Sequence, residues 1–239
     1  LLQEGFEMPD LQMVVIDEQH RFGVEQRHAL LDTGQDKAPH LLSMTATPIP
    51  RSLALTMYGD LDLSILNEMP AGRKSVATKV VYEQERSGMW DHVRSLIDEG
   101  QQVFVVCPLI DPSDKLGARS VKEIYKELRN GPLEGVKMNT LHGKLKPDKK
   151  ERVIRRFRDR ELDALVATTV VEVGVDIPNA TVMVIVGAER FGLAQLHQLR
   201  GRVGRSDMQS YCYLLPEELS DTSKERLQAV EDSTDGFSL

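Results

Sequence analysis

The chain has 239 residues and a formal net charge of -7; 41% of the residues are hydrophobic and 28% are charged. This composition is typical of a soluble globular protein, and the length predicts one large domain or two smaller ones. The acidic balance excludes a globally basic chain, so any binding of nucleic acid has to come from a local surface. No apolar run approaches the roughly 20 residues of a membrane helix, so we expect no membrane partner.

Short apolar runs that alternate with helical patterns predict parallel sheets connected by helices. In chain order, the predicted strands are residues 13–16, 41–44, 79–82, 103–107, 136–141, 164–167, 182–186 and 211–215. Three helices are predicted from apolar spacing: one through Trp90, Val93 and Ile97 that stops at Gly100, one at residues 121–128, and one that begins near Pro147. Cys107 and Cys212 fall within predicted strands, where they act as small core residues.

A segment with Pro and Gly at residues 68–74 predicts an interdomain linker. Residues 1–72 supply only two strands and are expected to be the C-terminal part of a first α/β domain. Residues 73–217 form a complete second domain, and residues 218–239 start a further segment that is cut off. Because the chain begins without Met, we expect it to be an excised fragment.

The first candidate site is the run Asp17, Glu18, Gln19 and His20, which closes the strand at residues 13–16. Two carboxylates at the carboxyl end of a buried strand lie where open α/β sheets bind ligands. They suit Mg²⁺ binding and activation of water in nucleotide hydrolysis. The alternative is an ordinary polar loop, and four residues do not decide between the two.

Thr45 and Thr47 follow the next predicted strand at the corresponding position. Their hydroxyls can bond the acidic pair and the phosphates of a bound strand. However, Thr47 before Pro48 is also good chemistry for a helix start, which is the favoured interpretation of this motif alone.

A threonine-rich turn leaves the strand at residues 164–167. Thr168 and Thr169 offer hydroxyls and backbone N–H groups for a phosphate, and Gly174 and Asp176 can face a nucleotide across an interdomain cleft. Capping threonines in a plain strand–turn–helix explain this motif equally well.

His142 ends the strand at residues 136–141, and a basic helix follows it. Basic side chains can contact backbone phosphates. Because Val153, Ile154 and Phe157 give this helix a core face, its charges are better explained as the solvated side. His142 is therefore the better candidate for contact with DNA.

Residues 198–205 read Gln-Leu-Arg-Gly-Arg-Val-Gly-Arg. Arg202 and Arg205 are three apart and can project to one side of a short helix, where arginine can stabilise the charge of a transferring phosphoryl group. The alternative is a solvated basic helix end. Gly201 and Gly204 disfavour it, because each Gly costs about 1 kcal/mol in a helix interior.

The order of these motifs resembles motifs II, III, V and VI of superfamily 2 helicases. The longer strings at residues 16–27, 44–51 and 189–205 are similar to the RecG family, and the resemblance runs from about Met8 to the C-terminus. It implies RecA-like parallel sheets flanked by helices, with one complete domain plus the C-terminal part of another.

This resemblance implies the motor core of an ATP-dependent DNA helicase or translocase that remodels branched DNA, namely stalled forks and Holliday junctions, in recombination and repair. ATP and Mg²⁺ are its implied cofactors, and duplex or branched DNA is its partner.

The implied catalytic residues are Asp17, Glu18, Arg202 and Arg205, of which the two acids also hold Mg²⁺. ATP binding or coupling is implied for Gln19, His20, Gly174, Asp176 and Gln198. DNA binding or coupling is implied for Thr45, Thr47, His142, Thr168 and Thr169. The resemblance further implies a monomer in the bacterial cytoplasm, associated with the nucleoid.

The chain departs from that family in what it lacks. No Gly-x-x-x-x-Gly-Lys-Ser/Thr loop occurs in the sequence, and neither does the family's wedge domain or its complete C-terminal helical hairpin. We therefore expect negligible ATP hydrolysis by this chain alone. Two alternatives stay open: the motor module of a transcription–repair coupling translocase, and a non-enzymatic DNA-binding protein derived from a helicase. Gln19 and the stretch through Gln26 favour the RecG family over the former.

Overall fold

A computed structural model describes residues 10–18, 39–45, 62, 64–66, 74–108, 120–168 and 177–233. The chain divides into two compact units, Leu1–Leu61 and Asp62–Leu239, which we describe separately. This division falls before the predicted boundary at residue 72 and assigns the end of the chain to the second unit. The domain bounds 1–72, 73–217 and 218–239 stay a prediction.

In the first unit, two short strands form a parallel pair. They are β1 (Met13–Ile16) and β2 (His40–Ser43), with Met13 opposite His40 and Ile16 opposite Ser43. Val14 and Ile16 are buried, whereas Met13 and Val15 on the opposite face are more than half exposed. Strands of parallel sheets are usually covered on both faces, and this pair is covered on one.

The second unit contains a six-stranded parallel sheet and five helices among its described residues. The strands are β3 (Ala77–Val80), β4 (Gln102–Val106), β5 (Met138–Leu141), β6 (Ala164–Ala167), β7 (Ala180–Val186) and β8 (Tyr211–Leu215). The helices are α1 (Arg86–Asp98), α2 (Val121–Arg129), α3 (Pro147–Arg158), α4 (Leu193–Arg200) and α5 (Asp221–Asp232). The strand order across the sheet is β3-β8-β7-β4-β6-β5, and every pair is parallel.

All eight predicted strands are present, with ends that differ by up to two residues from the predicted ones. The central strands β4, β6 and β7 are buried along their whole length. Their continuous Val, Ile, Leu and Ala runs are what a strand covered on both faces requires. The predicted α/β class, with parallel strands and flanking helices, is confirmed.

Helices cover both faces of the six-stranded sheet. The buried side chains of α1 and α2 form one core with one face, and those of α3, α4 and α5 form a second core with the other. In the second core, the rings of Phe104 on β4 and Phe157 on α3 lie 5.0 Å apart between centroids. Such tilted aromatic pairs add to the stabilisation that burial alone gives.

The predicted helix signals at Gly100 and Pro147 are confirmed. Helix α1 ends just before Gly100, which has a φ of 86° and donates to Ile97 O at 2.8 Å. Only glycine adopts this left-handed conformation at little cost, so the helix stops there. Pro147 is the first residue of α3, a position where its missing N–H costs nothing.

Helices α4 and α5 were not predicted. Ser220 begins α5, and its Oγ accepts a hydrogen bond from Ser223 N at 3.2 Å. Leu227 and Val230 of this helix are buried in the same core as α3 and α4. The polar stretch after residue 217 therefore continues the fold of the second unit. Within the described ranges, no helix is long and apolar enough to cross a membrane.

Candidate functional site

The acidic pair lies at the carboxyl end of β1. Asp17 is exposed, and its Oδ1 accepts a hydrogen bond from Glu18 N at 2.8 Å. Glu18 has a φ of 53°, a left-handed conformation that glutamate rarely adopts. Backbone strain of this kind clusters at functional sites, so it supports a functional interpretation of the pair over an ordinary loop.

Thr45 shares this edge of the first unit. Met44 N donates to Ile16 O at 2.7 Å, which holds the ends of β1 and β2 side by side. Because the strands are parallel and Ile16 pairs with Ser43, the residues after them, including Glu18 and Thr45, emerge at the same edge. The predicted neighbours Gln19, His20 and Thr47 lie outside the described residues.

In the second unit, His142 and Thr168 lie together at the carboxyl ends of neighbouring strands. Leu141 of β5 pairs with Ala167 of β6, and Thr168 N donates to Leu141 O at 3.1 Å. Thr168 is 4% exposed, and its hydroxyl has no hydrogen-bond partner among the described residues. The structure therefore brings these two predicted DNA-facing residues to one place, while Thr169, Gly174 and Asp176 fall outside the described ranges.

The basic helix α3 presents its cations to solvent. Lys149, Arg152 and Arg155 are exposed, whereas Val153 and Phe157 are buried in the core. This arrangement is that of an amphipathic helix with a solvated charged face. Of the two interpretations that the sequence allowed, contact with DNA phosphates or a solvated helix face, the structure matches the solvated face.

Arg202 and Arg205 do not lie on a helix, contrary to the expectation from their spacing. Helix α4 ends at Arg200, and both arginines follow in a turn. Arg202 N donates to Leu199 O at 3.0 Å, and Arg205 Nε donates to Gly201 O at 3.3 Å. Two glycines in five residues end a helix more readily than they continue it, which explains the difference. Gln198, the third residue of the predicted set in this region, lies on α4 and is half-buried.

This arginine turn, residues 201–205, packs against the amino end of β3. Gly204 has a φ of 74°, and a Cβ added there would lie 2.7 Å from Val76 Cγ2. Gly204 N also donates to Ser210 Oγ at 3.1 Å, next to the start of β8. Because the sheet is wholly parallel, the arginine turn lies at its amino edge, whereas His142 and Thr168 lie at its carboxyl edge. The predicted ATP-facing arginines and the predicted DNA-facing residues are therefore separated within this unit.

The side chains at these sites suit phosphate and Mg²⁺ chemistry. Carboxylate oxygens at the end of β1 are the hard ligands that Mg²⁺ prefers, and this ion usually takes one or two of them together with phosphates and water. In the described part of the chain, no group of three or more His, Cys, Asp or Glu side chains could hold a metal ion. Arginines in a turn with close backbone approach suit a phosphate group.

One functional candidate in this region, a buried charged residue, was not predicted from the sequence. Arg200 is 7% exposed and precedes the arginine turn directly. The spacing of Arg202 and Arg205 predicts a role for these two residues, whereas nothing in the local sequence shows that Arg200 is buried. Two of its hydrogen-bond partners are carbonyls at the end of α5, a helix that the sequence did not predict.

Comparison with known proteins identifies the family. The family described as the helicase conserved C-terminal domain matches residues 88–207. The ATP-dependent DNA helicase RecG of Synechocystis sp. is 50% identical over 237 residues, which is 99% of this chain and 28% of that protein. RecG of Bacillus subtilis is 47% identical over 239 residues, which is 100% of this chain and 35% of that protein. The chain thus spans about a third of the length of these relatives.

Solved structures of similar proteins agree with this result from the sequence relatives. A structure of RecG bound to a three-way DNA junction superposes with a TM-score of 0.79 at 43% identity, covering 99% of this chain and 30% of that one. Dbp5 of S. cerevisiae, bound to RNA and ADP BeF3, has a TM-score of 0.63 at 16% identity over 95% of this chain and 58% of its own, and it shows the fold alone. The chain therefore belongs to the family of proteins that carry the helicase conserved C-terminal domain, and it is similar to RecG over its whole length.

Proposed function

We propose that this chain is the motor core of an ATP-dependent DNA helicase that remodels branched DNA, at stalled forks and Holliday junctions, in recombination and repair. The observation that carries the proposal is the similarity to RecG across the chain, including a RecG structure bound to a three-way DNA junction. The relatives reported above are RecG helicases, which favours this function over a transcription–repair coupling translocase. A cytoplasmic, nucleoid-associated monomer belongs to the same proposal.

Each group of site residues has a role in this proposal. Asp17 and Glu18 would hold Mg²⁺ and orient the attacking water, because their carboxylates are acceptors at an open strand end. Magnesium would neutralise the charge on the phosphates when bound. Arg202 and Arg205 would stabilise the charge that spreads over the transferring phosphoryl group. Further ATP contacts or coupling are proposed for Gln19, His20, Gly174, Asp176 and Gln198.

The DNA-facing set is proposed to lie at strand ends in both units. Thr45 and Thr47 follow β2, His142 follows β5, and Thr168 and Thr169 follow β6. Support comes from the buried hydroxyl of Thr168, which has no hydrogen-bond partner among the described residues. A buried hydroxyl in that condition is unfavourable unless a ligand or water completes it.

The substitution Glu18→Gln tests the proposal in the longer protein to which we propose the chain belongs. We expect ATP hydrolysis stimulated by a three-way junction to fall by a factor of about 100 or more, because the water loses its oriented base. Binding of the junction should persist, as measured by fluorescence anisotropy. The matched control is Glu134→Gln, an exposed acid in the second unit. Equal loss in both variants, or full activity in Glu18→Gln, contradicts the proposed role.

The 239-residue chain itself is expected to hydrolyse ATP negligibly. Its sequence has no Gly-x-x-x-x-Gly-Lys-Ser/Thr loop, so it lacks the lysine and the backbone N–H groups that cradle the β- and γ-phosphates. Release of inorganic phosphate in the presence of junction DNA measures this directly. Robust turnover would show that other residues of this chain bind the phosphates.

The non-enzymatic alternative makes a different prediction. A DNA-binding protein derived from a helicase would bind junction DNA, and no longer form of it would hydrolyse ATP. The junction-stimulated ATPase measurement on the longer protein therefore separates the two functions.

A further inference from the structure

The buried Arg200 holds the carboxyl end of α5. Its Nη1 donates to Val230 O at 3.0 Å and to Ser233 O at 2.5 Å. The last four carbonyls of a helix have no donor within the helix, and this end carries a partial negative charge. A guanidinium at that point supplies the missing donors and a positive charge together. The contact is therefore charge-assisted and stronger than an ordinary hydrogen bond.

A third contact fixes the orientation of the same guanidinium. Arg200 Nη2 lies 2.9 Å from His197 Nδ1, one turn earlier on α4. Because a guanidinium only donates, His197 Nδ1 has to accept, and the neutral ring carries its proton on Nε2. The side chain of Arg200 is thus directed between its own helix and α5.

The backbone of Arg200 directly precedes the arginine turn and is hydrogen-bonded to it. Its carbonyl accepts a hydrogen bond from Val203 N at 3.3 Å. The far end of the turn is held where Gly204 packs on Val76 and bonds Ser210 Oγ. Arg202 lies between these two anchors. Loosening the first anchor would give the turn, and the arginines on it, freedom that they lack in the folded protein.

We propose that Arg200 is a positioning residue that ties the turn bearing Arg202 and Arg205 to the end of α5, and that it makes no contact with the nucleotide itself. The inference rests on the proposed function, in which Arg202 and Arg205 act on ATP. It means that α5 belongs to the working ATPase, because two acceptors of the Arg200 side chain, Val230 O and Ser233 O, lie at the carboxyl end of that helix. A catalytic group displaced by about 1 Å can cost a factor of 100 in rate, so a loose turn should be visible in turnover.

Arg200→Lys and Arg200→Gln test this inference. Lysine keeps the positive charge but lacks the planar guanidinium, whose N–H groups reach two carbonyls and His197 at the same time. Glutamine removes the charge. The matched control is Arg94→Lys, because Arg94 Nη1 also donates to a backbone carbonyl, that of Glu134, at 2.7 Å and far along the chain from α4. Amide hydrogen exchange on the 239-residue chain reports the turn and the end of α5. Steady-state ATP hydrolysis by the longer protein reports positioning.

We expect Arg200→Lys to lower kcat by a factor of about ten or more while the KM for ATP stays unchanged. Exchange should accelerate both at residues 230–233 and at residues 201–205, and Arg200→Gln should enhance both effects. Arg94→Lys should alter neither kcat nor exchange in these two segments. If Arg200→Gln fails to fold, Arg200→Lys decides the outcome alone, because it retains the charge at the helix end.

Two results would overturn the inference. Faster exchange confined to residues 230–233 with unchanged kcat would show that Arg200 only caps α5. A raised KM for ATP with unaltered exchange at residues 201–205 would show that Arg200 binds the nucleotide. If the wild-type longer protein hydrolyses no ATP, the proposed function fails. In that case exchange at residues 201–205 still decides whether Arg200 fixes the turn.

Discussion

Gly204 and Arg160 both have a left-handed backbone conformation, but only Gly204 has the residue type that adopts it without strain. At Gly204 the conformation is matched by glycine, and the space beside it is filled by Val76. At Arg160, which follows α3, a residue with a Cβ occupies the same region of backbone space at a φ of 59°. Gly204 therefore fits both the backbone and the packing at its position. Arg160 retains backbone strain that a substitution by glycine can remove.

Gly204→Ala should lower the free energy of unfolding by about 2 kcal/mol or more, since the new Cβ collides with Val76 Cγ2 and the backbone is strained. Urea denaturation of the 239-residue chain measures the loss. Adding Val76→Ala should recover only the part due to the collision, and the strain at φ 74° should remain. Strictly additive losses in the double variant would show that the two side chains do not meet.

Arg160→Gly should raise the free energy of unfolding by about 1 kcal/mol, because glycine adopts the left-handed conformation without a Cβ penalty. The closing hydrogen bonds are made by the backbone, Arg160 N to Phe157 O and Glu161 N to Arg156 O, so they survive. The matched control is Arg158→Gly, within the last turn of α3, which should destabilise by about 1 kcal/mol. Destabilisation by both variants would refute the argument.

At the scale of elements, the pattern of apolar residues predicted the strands correctly but did not predict helices α4 and α5. All eight strands were predicted, because a buried parallel strand is a continuous apolar run. Helix α5 has only Leu227 and Val230 as buried apolar side chains in a polar stretch. The contact between the side chain of Arg200 and the carboxyl end of α5 helps to hold this helix against the domain. A tertiary contact of that kind produces no periodic pattern in the local sequence.

The site was predictable in part for the same reason. Strand ends can be read from the sequence, so Asp17, Thr45, His142 and Thr168 were placed at carboxyl edges. The position of the arginine turn depends on where α4 ends and on how Gly204 meets Val76. Neither is visible in motif spacing, so the sequence did not predict that the turn lies at the amino edge of the sheet.

Gln102 joins the start of β4 to the end of α3 and the loop that follows. Its Nε2 donates to Phe157 O at 2.6 Å and to Leu162 O at 2.7 Å, and the residue is 2% exposed. Gln102→Ala should cost about 3 kcal/mol of unfolding free energy, because Leu162 O loses the amide donor and Phe157 O keeps only Arg160 N. The control Gln84→Ala, at an exposed position, should change stability by less than about 0.5 kcal/mol. A similar small effect at Gln102 would mean that water replaces the amide.

The burial of Tyr213 on β8 makes the stability of the protein depend on alkaline pH. Burial, and then the neighbouring Tyr211, raise the pKa of Tyr213 from 10.0 to about 12, and its hydroxyl lies 2.6 Å from His92 Nδ1. The folded state holds this proton more tightly than the unfolded state. The contribution is therefore complete below pH 10 and is lost as the pH rises from 10 towards 12.

Tyr213→Phe should make the fall of unfolding free energy above pH 10 shallower, as measured by urea denaturation at successive pH values. The slope should not vanish, because burial also raises the pKa of Cys212, to about 12, and that thiol remains in the variant. An unchanged slope would show that Tyr213 does not contribute to alkaline sensitivity.

At the scale of the whole molecule, we expect helix α5 to be part of the cooperatively folding second unit. Trp90 is the only tryptophan of the chain and packs against a core of the second unit, so its fluorescence reports unfolding of that unit. Leu227 and Val230 of α5 are buried in the other core of that unit. Deleting residues 218–239 removes Leu227 and Val230 and should cost roughly 3 kcal/mol or more. An unchanged urea midpoint of the Trp90 transition would show that α5 is an appendage to a domain that ends at residue 217.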